Sequence, residues 1–151
     1  RGMAFSRYKN AKCYAAVCVD VAVNLQTSVI NLIHAVIAGD AGQIIDPDGL
    51  SNQLEGGFIQ SASWTLKEQV LYDAKGITSR DWDSYPILTF PEIPTVEVVL
   101  LDHPESPSLG AGEATQGPAS AAIANAVFNA VGLRLRAVPF TPERVKKAAA
   151  S

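Results

Sequence analysis

The chain has 151 residues, enough for one ordinary domain, with 48% hydrophobic and 18% charged side chains and a formal charge of −3. That lightly charged, globular balance excludes the disordered class. Lys146 and Lys147 are the only adjacent basic pair, so neither nucleic acid nor an anionic membrane is an expected partner.

The first third reads as strands. "GMAFSRY" opens an extended run, and from Lys12 to Asn24 the odd positions Cys13, Ala15, Val17, Val19, Val21 and Val23 are apolar while even ones include Lys12, Tyr14, Asp20 and Asn24. A period of two marks a strand with one wet face. "NLQTS" supplies a turn, and "VINLIHAVIAG" is apolar on both faces, the pattern of a central strand covered on both sides. Interrupted by Asn31 and His34, it falls far short of the ~20 residues of a membrane span. Three strands are expected over residues 1–39. Cys13 and Cys18 should face opposite ways, so they neither bridge nor share a metal and are expected to be buried, inert thiols. His34 is expected as a hydrogen-bonded core histidine more than as a ligand. With His103 distant in sequence, no protein-held zinc or iron–sulfur cluster is expected, and no residue is assigned as a metal ligand.

Asp46 before Pro47 predicts a helix start, with the aspartate as cap and the proline in the first turn. A long helix over 46–71 follows. Its unusual feature is Gly56–Gly57 in mid-helix, each costing about 1 kcal/mol relative to alanine. Helical projection puts Gln53, Gly56, Gly57 and Gln60 on one face. Close packing explains the glycines, and so does an extended polar ligand lying along them with Gln53 as donor and acceptor. From Lys75 to Pro94 the chain is irregular, with Gly76, Pro86, Pro91 and Pro94. A strand is predicted over 94–101, an alanine-rich helix over 118–131 starting at Pro118 and ended by Gly132, and a terminal helix over 142–149 capped by Thr141. The small residues along Ala119, Ala122, Ala126 and Ala130 should let the alanine-rich helix approach its neighbour closely. The expected fold class is α+β: an antiparallel or mixed sheet packed against a long central helix and the alanine-rich helix, in a single domain over 1–151.

"PSLGAGEATQGPAS" sets Glu113 beside Gly110 and Gly112, a few residues before a helix start where unpaired N–H groups and the helix dipole favour negative charge. Two glycines flanking one acid indicate a sharp bend or a close approach. A carboxylate held on such a loop suits a general base, and equally an acid that stabilises the first helical turn.

The segment "GAGEATQGPASAAIANAVFNAVGLRLRAVPFTPERV" resembles the C-terminal end of the large subunit of molybdenum hydroxylases, the xanthine dehydrogenase and aldehyde oxidoreductase superfamily, especially the isoquinoline 1-oxidoreductase and nicotinate dehydrogenase type. "DAGQIIDPDGLSNQLEGGFIQSASWTLKEQV" and "SRDWDSYPILTFPEIPTVEVVLLD" resemble the preceding segments of that family in the same order. The resemblance spans roughly residues 39–147. It implies that Glu113, in the G-x-G-E motif, is the catalytic base beside molybdenum. It also implies that Gln53, in the N-Q-x-E-G-G motif, contacts the molybdopterin cofactor, and that Gly112 belongs to the loop passing close to it. Where many relatives carry prolines after the glutamate, this chain has Ala114 and Thr115.

The reaction so implied is hydroxylation of an N-heterocyclic aromatic or an aldehyde with water as the oxygen source. The cofactor would be molybdopterin or its cytosine dinucleotide form. The partners would be the rest of the large subunit, a small iron–sulfur subunit and a small-molecule substrate. The chain begins with Arg1, and a piece of a longer polypeptide is expected, inactive by itself, weak in cofactor binding and prone to self-association. The family has members served by soluble clusters and members linked to membrane cytochromes, which leaves cytoplasm, periplasm and membrane association through a partner all open. The alternatives are a non-catalytic docking module that kept the fold and, more remotely, a metal-free hydrolase using Glu113.

Overall fold

Alternating apolar residues drive the first part of the chain into three antiparallel strands, β1 (Gly2–Arg7), β2 (Tyr14–Val23) and β3 (Ile30–Asp40). The structure, a computed structural model, describes residues 1–150. The β1–β2 connection turns tightly because Lys9 and Asn10 both take left-handed backbone, φ 49° and 57°. In the next turn the Asn24 side-chain oxygen accepts from the backbone N–H of Gln26 and of Thr27, a local bond that favours a turn over continued ladder.

Helix α1 (Pro47–Leu66) then crosses the sheet, with Asp46 Oδ1 accepting from the Gly49 N–H at 3.0 Å and Pro47 in the first turn. A two-residue-arm hairpin, β4 (Tyr72–Asp73) and β5 (Gly76–Ile77), and a 3₁₀ turn at Phe90–Glu92 interrupt the irregular stretch before β6 (Thr95–Leu101). β6 lies parallel to β3, giving a mixed sheet in the order β1-β2-β3-β6. Helix α2 (Gln116–Val131), ended by Gly132 at φ 74°, and α3 (Pro142–Ala149), capped by Thr141, complete an α+β arrangement of a four-stranded sheet and three helices.

The core lies between one sheet face and the helices. Ala15, Val17, Val19, Ala35 and Ile37 meet Leu54, Phe58 and Ala62 of α1 and Ala122, Ile123 and Ala126 of α2, all essentially inaccessible to water. Burying a side chain such as Phe58 contributes about 2–3 kcal/mol. The small residues of α2 serve as expected: a Cβ added to Gly2 would sit 2.1 Å from the Ala126 nitrogen, so α2 rests directly on the β1 backbone.

Four expectations are corrected. β3 is central but covered on one side only: its other face joins an open surface with Met3, Phe5, Tyr14, Val99 and Leu101, where Met3 and Phe5 are more than 60% exposed. His34 is therefore no core residue; in alternation with Val36 and Ala38 it stands on the open face opposite Asp20, where its Nε2 lies 3.1 Å from the exposed Glu97 carboxylate. Helix α1 stops at Leu66, its last buried residue, because Leu71 is drawn into backbone and hydroxyl bonds with Thr78 and Ser79 beside the β4–β5 hairpin. Helix α2 begins at Gln116, with Pro118 as its third residue, because the Glu113 carbonyl accepts the Gln116 N–H and starts the turn earlier.

Candidate functional site

The site is built around the loop from Gly110 to Gln116, and each of its bonds has a separate anchor. On the helix side, Gln53 Nε2 donates to the Gly112 carbonyl at 2.6 Å, and Gln116 Nε2 donates to Gln60 Oε1 at 2.8 Å. Between these two, the Thr115 hydroxyl donates to the Leu54 carbonyl at 2.8 Å. A Cβ on Gly57 would lie 2.5 Å from that hydroxyl. This accounts for one of the mid-helix glycines: Gly57 lets the buried Thr115 descend onto the α1 backbone. Gly56 has open space where a Cβ would sit and, with Gln60, lines a hollow bordered by Trp82 and Tyr85, so packing does not account for the second glycine.

On the strand side, the Cys13 N–H donates to the Gly110 carbonyl at 3.2 Å, and the Tyr8 hydroxyl donates to Glu113 Oε2 at 2.9 Å. Cys13 is fully buried; burial pushes its thiol up, and the nearby Asp40 carboxylate adds to this, so the thiol stays protonated and inert. Cys18 faces the opposite side of the sheet, as alternation requires, but is only half-buried on the open face. The loop also holds itself: the Ala114 N–H donates to the Ala111 carbonyl at 3.2 Å. A proline in place of Ala114 would lack that donor, and a proline in place of Thr115 would lack the hydroxyl.

Gln53 on α1 is brought against Gly112 and Glu113 on this loop, but the three open into two adjacent hollows. Gln53 and Gly112, with Ala41, Gly49 and Ala111, line an open hollow of about 340 Å³. Glu113 lines its neighbour, about 370 Å³, with Ser6, Arg7, Tyr8, Lys9 and Gln116. The helix face and the glycine loop are thus in direct contact, with hollows on either side. Glu113 is exposed, and its carboxylate stands three residues before the first residue of α2.

Sequence reading missed Tyr8 and Thr115. Tyr8 lies 105 residues from Glu113, and nothing in "RYKN" announces the contact. Thr115 carried a usable signal, a hydroxyl residue immediately before a helix, but its partner turned out to be the α1 backbone rather than its own helix.

The family model for the molybdopterin cofactor-binding domain matches residues 3–94. The chain belongs to this family. The domain is 43% identical, over 98% of its length, to a nicotinate dehydrogenase subunit from Pseudomonas putida, covering 13% of that protein. It is 30% identical, over 93% of its length, to the beta chain of isoquinoline 1-oxidoreductase from Brevundimonas diminuta, covering 18% of it. Its fold matches the crystal structure of quinoline 2-oxidoreductase from Pseudomonas putida 86 with a TM-score of 0.85 at 26% identity, over 92% of this chain and 19% of that one. The resemblance to the molybdenum hydroxylase large subunit therefore holds, and the domain spans less than a fifth of the length of these relatives. No helix among the described residues is long and apolar enough to cross a membrane.

Proposed function

We propose that this domain forms one side of the cofactor site of a molybdenum-dependent hydroxylase that oxidises an N-heterocyclic aromatic compound, with aldehydes as the second substrate class. The 43% identity to a nicotinate dehydrogenase favours the heterocycle. The residues present suit the cofactor. Among the described residues no group of three His, Cys, Asp or Glu side chains could hold a metal ion, whereas the hollow beside Gln53 offers an amide and the glycine backbone at Gly112. That is a donor set for an organic molecule which carries its own metal. Gln53 and the Gly112 backbone would hold molybdopterin or its cytosine dinucleotide form, which supplies when bound the metal centre for oxygen transfer from water and two-electron oxidation.

Glu113 is the general base in this reading. One carboxylate oxygen, Oε2, is engaged by Tyr8, and Oε1 is the atom that takes the proton. A base so placed contributes about 10²–10⁴ in rate. The bond from Gln53 to Gly112, one residue before Glu113, is the observation that supports this arrangement, because it links the amide and the acid through a single loop. The rest of the large subunit would close both hollows against water, and a small iron–sulfur subunit would take the electrons, since two cysteines on opposite sheet faces cannot hold a cluster. The domain by itself would bind cofactor weakly and catalyse nothing.

A second reading, a docking module without catalysis, draws on the open apolar sheet face. Replacing Glu113 by Gln in the intact enzyme separates the two: turnover should fall at least about 100-fold at full molybdenum content. Undiminished turnover would overturn the base and leave the docking module.

A further inference from the structure

We infer that Tyr8 is a positioning residue for the candidate base, fixing the Glu113 carboxylate through its hydroxyl; the inference rests on reading Glu113 as that base. Among the described residues the Tyr8 hydroxyl is the only hydrogen-bond partner of the carboxylate, at 2.9 Å. An exposed glutamate without a partner samples many rotamers. One bond to a rigid donor selects among them.

The donor is rigid for identifiable reasons. The Tyr8 N–H donates to the Cys13 carbonyl at 2.8 Å, and the Tyr8 carbonyl accepts from the N–H of Lys12 at 2.9 Å and of Ala11 at 3.3 Å. The left-handed Lys9 and Asn10 close this turn, and the Lys9 ammonium lies 5.2 Å from the centre of the Tyr8 ring. The same turn holds the glycine loop a second time, through the Cys13 N–H and the Gly110 carbonyl. The phenol end also reaches the glycine loop: a Cβ on Gly112 would sit 4.0 Å from the Tyr8 oxygen, in ordinary van der Waals contact. Gln53 holds the Gly112 carbonyl from α1 while Tyr8 holds the next residue's carboxylate from the sheet edge. The loop backbone and the reactive group are fixed from opposite sides. A phenol donates one proton, so Tyr8 occupies one carboxylate oxygen and leaves the other for chemistry.

The test uses the intact enzyme carrying Tyr8→Phe, Glu113→Gln and both together, each at full molybdenum content. Phenylalanine keeps the ring and removes only the hydroxyl. Tyr8→Phe should lower kcat about 10-fold with KM within about twofold, the signature of a misaimed group rather than lost substrate binding. The double variant should be no slower than Glu113→Gln alone, because Tyr8 acts only through the acid. A crystal structure of the Tyr8→Phe enzyme should show the Glu113 carboxylate displaced or spread over several rotamers. An unchanged kcat in Tyr8→Phe while Glu113→Gln is inactive would overturn the positioning role. So would a carboxylate that keeps its place without the hydroxyl. If Glu113→Gln turns over normally, the base reading itself fails, and the carboxylate position in Tyr8→Phe still decides whether Tyr8 holds it.

Discussion

Gln53 and Gly112, 59 residues apart in the chain, are joined by a 2.6 Å bond from a side-chain amide to a backbone carbonyl. That bond aligns helix α1 with the loop carrying Glu113. Gln53→Glu should therefore be worse than Gln53→Ala, because a carboxylate has no donor for the carbonyl and places charge against it. Alanine should cost about 1 kcal/mol of stability. In the intact enzyme both variants should lose molybdenum per polypeptide, measured by metal analysis, with the glutamate variant losing more.

The adjacent glycines of α1 should respond in opposite directions. Gly57→Ala sets a methyl 2.5 Å from the Thr115 hydroxyl and must break its bond to Leu54, so it should lower the melting temperature and cost about 1–3 kcal/mol. Gly56→Ala meets open space and should gain about 1 kcal/mol from helix propensity. A melt of the two variants side by side checks both. If Gly56→Ala stabilises the domain but impairs the assembled enzyme, a partner packs on the bare backbone beside Trp82.

Thiol labelling reports on the open sheet face. In the isolated domain Cys18 should react with an alkylating reagent well before Cys13, which is fully buried and has its thiol pushed up by burial. In the intact enzyme Cys18 should become protected, since the surface with Met3, Phe5, Val99 and Leu101 is where the remainder of the large subunit would pack. Equal labelling of Cys18 in both forms would mean that this face is never covered.

Stability should fall at both ends of the pH scale, with signs set by identified groups. The Arg1 guanidinium holds the Asp20 carboxyl below its usual range, and the Ser84 hydroxyl and N–H do the same for Asp81. Burial pushes Glu92 up, but Lys67 and Thr89 outweigh it and leave a net lowering. Carboxyls depressed by folding stabilise above their unfolded values near 4 and lose that contribution as pH falls through the folded values. Tyr85 runs the other way: its bond to the Glu68 carboxylate raises it, so its contribution is complete below about pH 10 and is lost as pH rises through the folded value. Thermal melts should show the acid loss below about pH 4, and Tyr85→Phe should remove part of the alkaline loss.

The sheet and helices were legible wherever periodicity or a cap marked them. Alternation at 13–23 located β2, Asp46–Pro47 located the start of α1 and Gly132 the end of α2. What sequence could not convey was coverage. The strand "VINLIHAVIAG" is apolar on both faces, but within this chain only one face has a helix to meet, and His34 sits on the bare side. The boundaries at Leu66 and Gln116 depended on nonlocal bonds from Ser79 and on the carbonyl of Glu113, which no propensity records. At the site, the motifs singled out Gln53, Gly112 and Glu113, and the structure bonds Gln53 of α1 to the loop that carries the other two. Tyr8 stayed hidden because its contact spans 105 residues of the chain.

The account stands on the cofactor meeting both flanks of that loop, and electron density for the intact, cofactor-loaded enzyme addresses this most directly. The cofactor should contact the Gln53 amide and the Gly112 backbone, with the Glu113 carboxylate facing the same bound molecule. Density placing the cofactor away from all three residues would contradict the account.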